Sequence, residues 1–235
     1  MHQTHIPQAT LDRLIARRGR IHAFESLDPR KTALVVVDMQ NGFCLPGSAA
    51  EIPAAREIVP NINTLARETR AAGGTVAWVQ MVIPTKADWP VFMDTLVSQE
   101  LGDHILHDLQ PGSEGQKLWA GLETQPSDLF VTKNRFSAFL PSACKLPSML
   151  RERGIDTVII VGTLTDVCCE SSARDAAMSD FRTIMVSDAN ACRSDDDHNA
   201  TLRTFILVFG DVQTSDEVAA RLRAGVARPM PAAAE

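Results

Sequence analysis

The 235-residue sequence lacks the signatures of several common protein classes. Its net charge is −6 and it contains no long basic run, which disfavours nucleic acid and anionic membranes as partners. No apolar run approaches the roughly 18 residues of a membrane-spanning helix, so neither a membrane span nor a signal peptide is predicted. Neither GxGxxG nor GxxxxGKS/T follows the first predicted strand, which disfavours a dinucleotide-binding domain and a P-loop.

The cysteines show no metal-binding or redox framework. Their number is odd, no two are spaced as C-x-x-C, and two are adjacent, which argues against a zinc ribbon and a redox dithiol. This pattern is typical of a reducing compartment and predicts a cytoplasmic protein. The five cysteines are Cys44, Cys144, Cys168, Cys169 and Cys192.

Apolar strand-like runs alternate with amphipathic segments along most of the chain. This alternation predicts an α/β fold: a doubly wound, mostly parallel six-stranded sheet in the order 3-2-1-4-5-6, with helices on both faces. No internal repeat and no linker rich in Gly, Ser or Pro divides the chain. One domain is therefore predicted for residues 32–224, with an N-terminal arm at 1–31 and a C-terminal tail at 225–235.

One long segment, residues 82–112, shows no regular pattern and is predicted to be an irregular lid or binding loop. His104 and His107 stand at i, i+3 within it. No carboxylate occurs at a matching spacing, so these histidines are predicted to face solvent rather than to bind a metal. Exposed Phe and Trp side chains expected in this loop, together with the basic arm, predict a homo-oligomer.

The N-terminal arm contains the basic stretch LDRLIARRGR. Its spacing predicts one or two amphipathic turns with Leu11, Leu14 and Ile15 on one face. Two alternatives remain open: the arm packs on the body or on a second subunit, or it is a disordered tail.

The stretch from Ile159 to Ala177 carries the most informative pattern. An apolar run typical of a buried parallel strand ends at Gly162, a short turn follows, and a helix is predicted to begin at Cys168. A thiol at a helix N-terminus faces unpaired backbone N–H groups, which favours the nucleophilic thiolate. The stretch is therefore a candidate for covalent catalysis. It is equally typical of a small core residue at a tight junction, since free cysteines are often buried.

Two further polar residues follow predicted strands. Asp38 comes directly after the first strand, and Lys133 comes after the third. Ligands of α/β sheets bind at the carboxyl ends of the strands, and the predicted order places Asp38 and Cys168 at one switch point. The backbone of Lys133 would lie two strands, or roughly 10 Å, from the first strand, a distance that its long side chain can span. Taken alone, the aspartate is also typical of a helix cap, and the lysine of a solvated residue.

Three segments, in this order, resemble those of the isochorismatase-like cysteine hydrolases. VVVDMQNGF resembles the first-strand motif with its catalytic Asp, here Asp38. TKNRFSAF resembles the K-x-R-Y/F-S-A/G-F segment with its catalytic Lys, here Lys133. VGTLTDVCCESSARDA resembles the segment around the catalytic Cys, here Cys168, where the family usually reads T-x-V-C-V. The likeness covers about residues 32–224 and implies a six-stranded parallel sheet sandwiched by helices.

The resemblance also implies roles for these residues. Cys168 would be the nucleophile, Asp38 the proton acceptor and donor, and Lys133 the cation that stabilises both. The backbone N–H groups of Leu164 and Cys168 would form the oxyanion hole, with a cis peptide bond between Thr163 and Leu164.

Departures from the family motifs narrow the expected reaction. Nicotinamidases of this superfamily carry a D-x-H metal motif with a further His after the second strand. The nearest match here is Asp88-Trp89-Pro90, so no metal and no other cofactor is expected. The Lys133 segment is most similar to those of ureidoacrylate and N-carbamoylsarcosine amidohydrolases. Retention of Cys168 favours cleavage of an amide over cleavage of a vinyl ether.

The expected reaction is thus hydrolysis of the C–N bond of a small amide or N-carbamoyl (ureido) compound through a thioester, releasing ammonia or an amine. Expected substrate contacts are Phe43, Gln80, Trp89 and Phe136. Phe136 stands where those relatives often have Tyr, so one hydroxyl contact is missing. The alternatives are an isochorismatase-type vinyl-ether hydrolase and a non-catalytic small-molecule binding protein on the same fold. The complete set of three residues argues against the latter.

Overall fold

A computed structural model describes residues 1–227 and confirms the predicted fold class. Six strands form one sheet in the order β3-β2-β1-β4-β5-β6, and the neighbouring strands pair in parallel. The strands are β1 (Thr32–Val37), β2 (Thr75–Met81), β3 (Leu129–Lys133), β4 (Thr157–Thr163), β5 (Arg182–Ala191) and β6 (Asp211–Gln213).

Helices cover both faces of the sheet. One face packs against α3, α4 and α9, and the other packs against α1, α6, α7 and α8. The helices are α1 (Gln8–Arg18), α2 (Asn41–Cys44), α3 (Pro53–Glu57), α4 (Val59–Ala71), α5 (Gln99–Leu109), α6 (Leu146–Glu152), α7 (Glu170–Met178), α8 (Asp195–Val208) and α9 (Ser215–Val226).

The central strand β1 shows why the sheet takes this form. Leu34 and Val36 pack into the hydrophobic cluster on one face, whereas Ala33, Val35 and Val37 pack into the cluster on the other. A strand that is apolar at every position can bury both faces only between two helical layers. Its position between β2 and β4 therefore follows from its composition.

The segment 82–112 is more ordered than its sequence pattern predicts, and the prediction of an irregular loop is wrong in its second half. Helix α5 occupies that half, after a π-helical turn at Phe92–Leu96. The Ser98 hydroxyl accepts a hydrogen bond from the Leu101 N–H group and so caps the helix. The cap and the i, i+4 spacing of Leu101 and Ile105 were the local signals for this helix.

The N-terminal arm packs on the body of the same chain, which is one of the two predicted alternatives. Leu14 is fully buried against the layer that contains α8. The predicted apolar face is wrong at one position, because Ile15 is half exposed.

Helix α9 continues to Val226, so the predicted tail boundary at residue 225 lies inside a helix. The rest of that tail, from residue 228, lies outside the described residues. Within residues 1–227, no helix has both the length and the apolar character needed to cross a membrane.

Candidate active site

The strand order brings three chemically active residues to one edge of the sheet. Asp38 follows β1 directly, Lys133 is the last residue of β3, and Cys168 lies five residues beyond the end of β4. Because carboxyl ends of parallel strands meet at the same edge, residues far apart in sequence converge there. The backbone helps to aim Asp38, which adopts a left-handed φ of 52° while its N–H donates to the Val79 carbonyl at 2.9 Å.

Asp38 and Lys133 form a fully buried ion pair. The Lys133 Nζ donates to Asp38 Oδ2 at 2.7 Å, and neither side chain is exposed to solvent. Lys133 reaches across β2, and its ammonium also donates to the Arg135 carbonyl at 3.2 Å and lies 3.5 Å from Met81 Sδ. The other carboxylate oxygen, Asp38 Oδ1, has no hydrogen-bond partner in the part of the chain that the structure describes. One acceptor of the pair therefore remains unused.

Cys168 lies in a π-helical turn, Thr165–Cys169, that precedes α7. The predicted helix start at Cys168 is therefore three residues late. The Leu164 carbonyl accepts from the N–H groups of Val167, at 3.2 Å, and Cys169, at 3.0 Å. An α-helix would assign that carbonyl to the N–H of Cys168. The turn thus gives the Leu164 carbonyl to the neighbours of Cys168 instead of to the Cys168 amide.

Burial shifts the pKa of the Cys168 thiol. It raises this pKa far above the usual thiol range, and the attraction of the nearby Lys133 ammonium only partly offsets the shift. The direction is opposite to the thiolate that the sequence pattern favours, because a thiol that is 4% exposed has lost most of its hydration. Burial also raises the pKa of the Asp38 carboxyl, against the opposing effect of Lys133. This makes Asp38 a stronger base than an exposed carboxylate.

The cation is retained despite its burial. Burial acts to lower the pKa of Lys133, but the adjacent Asp38 carboxylate contributes to raising it above its usual value. The pair therefore holds its positive charge on nitrogen, and the proton that can move is the thiol proton.

A cavity of about 290 Å³ opens above Cys168. Two charged residues, Asp108 and Arg193, line this cavity. Leu164 and Cys168, whose N–H groups are predicted to form the oxyanion hole, line it as well. The peptide bond between Thr163 and Leu164 is cis, as the family resemblance implied. The remaining lining residues are Gly42, Phe43, Ala49, Ala50, Met81, Ile83, Phe92, Val97, Leu101, Ile105, Leu109, Phe136 and Val167.

The four expected substrate contacts separate into two groups. Phe43 and Phe136 line the cavity, whereas Gln80 and Trp89 do not. The Gln80 amide instead donates to the Gln116 carbonyl at 2.8 Å. The Trp89 ring packs at 4.6 Å against Phe136, so it supports a cavity residue from behind.

The same packing corrects one argument for oligomerisation. Trp89 and Phe92 were expected to be exposed, but each is half-buried, and their rings stack at 4.6 Å. The homo-oligomer remains a prediction that rests on the arm alone.

Sequence reasoning missed two parts of the cavity. One is the wall formed by α5, whose amphipathic spacing was the available signal. The other is Arg193, which stands two residues after the end of β5. Because Ala191 pairs in register with Thr163, Arg193 comes to the same sheet edge as the π-helical turn. The apolar run that indicates β5 in the sequence ends at Val186, well before Arg193, so the pattern gave no signal for this residue.

Potential metal ligands lie outside the cavity. Among residues 1–227, His2, Cys192 and His198 form a group whose ligand atoms lie within 4.8 Å of one another. The ring nitrogens of both histidines already have hydrogen-bond partners in the protein. His104 and His107 are exposed on α5, as predicted, and 87% of the His107 side chain is accessible.

The chain is similar to known proteins over most of its length. The model of the isochorismatase domain matches residues 32–217, most of the chain. The chain belongs to the isochorismatase family. Over 197 residues it is 32% identical to the uncharacterized isochorismatase family protein YwoC of Bacillus subtilis, a match that covers 82% of this chain and 94% of that protein. This family member is therefore an isochorismatase-like hydrolase that acts on a small molecule.

Two solved structures are also similar. A cysteine hydrolase from Pseudomonas syringae pv. phaseolicola is 30% identical, with a TM-score of 0.74, covering 85% of this chain and 95% of that one. An N-carbamoylsarcosine amidase from Thermoplasma acidophilum is 28% identical, with a TM-score of 0.64, covering 79% of this chain and 97% of that one.

Proposed function

We propose that this family member hydrolyses the C–N bond of a small amide or N-carbamoyl compound through a thioester on Cys168. The observation that carries the proposal is the buried Asp38–Lys133 ion pair beside a thiol at a cavity, with Asp38 Oδ1 left unpaired. That oxygen is a free acceptor for the thiol proton. The similarity to an N-carbamoylsarcosine amidase supports an amide-type substrate.

In the first half-reaction, the Cys168 sulfur attacks the carbonyl carbon while its proton passes to Asp38 Oδ1. The N–H groups of Leu164 and Cys168 donate hydrogen bonds to the carbonyl oxygen and stabilise the negative charge that develops on it. The protonated Asp38 then delivers this proton to the substrate nitrogen, the C–N bond breaks, and ammonia or an amine leaves. The acyl or carbamoyl group remains as a thioester.

In the second half-reaction, a water molecule attacks the thioester carbonyl and gives its proton to Asp38. The C–S bond breaks, and Asp38 returns the proton to the departing sulfur. The products are a carboxylic or carbamic acid and the regenerated thiol. Lys133 stays protonated throughout and offsets the negative charge that alternates between Asp38 and the sulfur.

The proposal is tested by an ammonia-release screen over small amides, ureides and N-carbamoyl amino acids. Intact-protein mass spectrometry of the acid-quenched reaction should show an acyl or carbamoyl adduct. We expect the wild-type protein to release ammonia and to carry the adduct, and Cys168→Ala to do neither. Absence of turnover across the screen, with a Cys168 thiol as unreactive to alkylation as Cys169, would instead support a binding protein on this fold.

A further inference from the structure

We infer that the substrate carries an apolar group of about six carbons, bound against α5, an inference that rests on the proposed C–N hydrolysis. Four residues of α5 line the cavity: Leu101, Ile105 and Leu109 are hydrocarbon, with Phe92 and Phe136 beside them, and Asp108 alone is charged. A polar substituent placed against the five apolar side chains would lose its hydration without gaining hydrogen bonds, whereas an apolar one gains from burial.

The size of the cavity sets the size of this group. At about 30 Å³ for each non-hydrogen atom, 290 Å³ holds roughly ten such atoms. An amide group with its neighbouring carbon takes about four of them, and a ureido group about five. The remaining space suits a branched aliphatic or aromatic side chain.

The wall is attached to the body and does not depend on the substrate for its position. The Leu109 carbonyl accepts from the Ile83 N–H at 2.9 Å, which ties the end of α5 to the segment after β2. Gly42 approaches the same leucine so closely that an added Cβ would lie 3.3 Å from its Cδ2. A fixed wall discriminates between substituents by fit, because it does not rearrange for small ones.

The test is a series of primary amides with increasing alkyl chains: acetamide, propanamide, butanamide, hexanamide and octanamide. All carry the same amide group and stay within the roughly ten atoms that the cavity holds, so the series isolates the apolar part. We expect kcat/KM to rise about fourfold for each buried methylene, and on the order of 50-fold from propanamide to hexanamide. Ile105→Ala should lower kcat/KM for hexanamide about tenfold and leave acetamide nearly unchanged.

Leu96→Ala is the matched control, since Leu96 belongs to the same segment but is 70% exposed and outside the cavity lining. It should leave the whole series unchanged. A flat or falling series among compounds that are hydrolysed would overturn this inference and leave C–N hydrolysis intact. Hydrolysis of no carbamoyl compound and no alkyl amide would overturn the proposed function itself.

A second inference comes from the N-terminal arm: we propose that His2 is a positioning residue that holds the Arg193 loop, residues 192–194, at the cavity mouth. The His2 Nε2 accepts from the Cys192 N–H at 3.0 Å, and its Nδ1 lies 2.7 Å from Asp195 Oδ1. Nδ1 therefore carries the hydrogen, and the ring bridges both ends of the loop.

His2 is also connected to the turn that carries the nucleophile. Its ring stacks at 4.5 Å on His198, which is fully buried. The His198 Nδ1 pairs with the Thr165 hydroxyl at 2.9 Å, and its Nε2 donates to the Ser187 carbonyl at 3.0 Å. Thr165 is the first residue of the π-helical turn. His2 thus contacts the supports of both Arg193 and Cys168.

The rest of the arm keeps His2 in place. The Met1 ammonium pairs with Glu57, the Gln3 carbonyl accepts from the Asn199 side chain at 3.0 Å, and the His5 N–H donates to the same side chain. A residue fixed on both sides along the chain can orient a loop without a large loss of its own conformational entropy.

The test uses two alkylating reagents at Cys168: anionic iodoacetate and neutral iodoacetamide. Arg193 lines the same cavity as the thiol, so its charge should favour the anionic reagent when the loop is in place. We expect His2→Phe, which keeps a stacked ring but loses the acceptor, to lower the iodoacetate-to-iodoacetamide rate ratio at least threefold, as Arg193→Ala does. His2→Gln restores an acceptor near the position of Nε2 and should keep the ratio within twofold of wild type.

His5→Ala is the control for the arm, since this side chain is exposed. It should leave the ratio unchanged, and peptide mass spectrometry assigns each label to Cys168. An unchanged ratio in His2→Phe, beside a lowered ratio in Arg193→Ala, would overturn the proposal. A ratio that Arg193→Ala does not lower, or that His2→Gln fails to restore, would overturn it as well.

Discussion

The carboxyl edge of the sheet and the wall formed by α5 face each other across one cavity, yet they are built differently. The edge takes Asp38, Lys133 and Cys168 from three distant parts of the chain and buries them almost completely. The wall comes from a single connection between β2 and β3 and keeps many side chains in water. Chemistry thus depends on the strand framework, whereas the fit to a substrate depends on a local segment.

The largest expected effect is at the edge. Cys168→Ser should lower kcat/KM at least about 1,000-fold, because a hydroxyl is a much weaker nucleophile than a thiol in this setting. Cys169→Val is the matched change, since the neighbouring thiol is fully buried and its pKa is raised by burial. It should keep most of the activity. If Cys168→Ser were active and Cys169→Val inactive, the nucleophile would be Cys169 and not Cys168.

Lys133→Ala should lower kcat/KM on the order of 100-fold, about 2.7 kcal/mol of transition-state stabilisation. Without the ammonium, nothing offsets the effect of burial on Cys168, so the pKa of its thiol rises further. The pH dependence of thiol alkylation should move to higher pH accordingly. Lys133→Arg should not restore full activity, because a planar guanidinium does not replace a compact ammonium here. Near-normal turnover with an unmoved alkylation profile would remove Lys133 from the mechanism.

His198 makes the free energy of unfolding depend on pH. Burial lowers the pKa of His198 to about 4, so the unfolded chain binds its proton at higher pH than the folded one does. The neutral His198 therefore contributes fully to the free energy of unfolding above the unfolded pKa of about 6.5. This stabilisation is lost as the pH falls toward 4, a change of about 3 kcal/mol. Denaturant unfolding across this range should show the decline, and His198→Gln should flatten it. His104→Gln, at an exposed site, should leave it unchanged.

A smaller effect is expected at the wall. Ser98→Ala removes the cap of α5, at a cost of about 1 kcal/mol to the helix. We expect a two- to fivefold rise in KM with little change in kcat, because the wall affects binding more than chemistry. Thr214→Ala removes a similar cap from α9, whose residues do not line the cavity, and should leave KM unchanged. A drop in kcat alone in Ser98→Ala would contradict the division in which the sheet edge determines the chemistry and the α5 wall determines substrate binding.

The smallest expected effect is that of chelation. Exhaustive treatment with EDTA should leave the rate unchanged, because no ligand set of plausible spacing follows the second strand in the sequence. Metal analysis of the treated protein is the check. Loss of activity that zinc or manganese restores would contradict this and would direct attention to the His2, Cys192 and His198 group.

Much of the edge was predictable from sequence, because each of its residues follows an apolar run. An all-apolar strand must be central and buried, and a polar residue just beyond it must lie at the carboxyl edge. Asp38 and Lys133 were identified in this way, and the resemblance of their segments to family motifs supplied the roles. Arg193 was overlooked because the apolar run of β5 ends at Val186, whereas the strand itself continues to Ala191.

The sequence by itself determined which segments form strands and helices and which residues follow the strand ends, because hydrophobic periodicity and strand ends are local properties. The strand order was expected from the doubly wound fold class. Only the tertiary structure decided the direction of the pKa shift of Cys168, the cavity that α5 closes, and the contact of His2 with the Arg193 loop. These depend on burial and on side chains brought together from distant segments. A thiol at a helix start favours a thiolate in water, but desolvation in the folded core acts in the opposite direction.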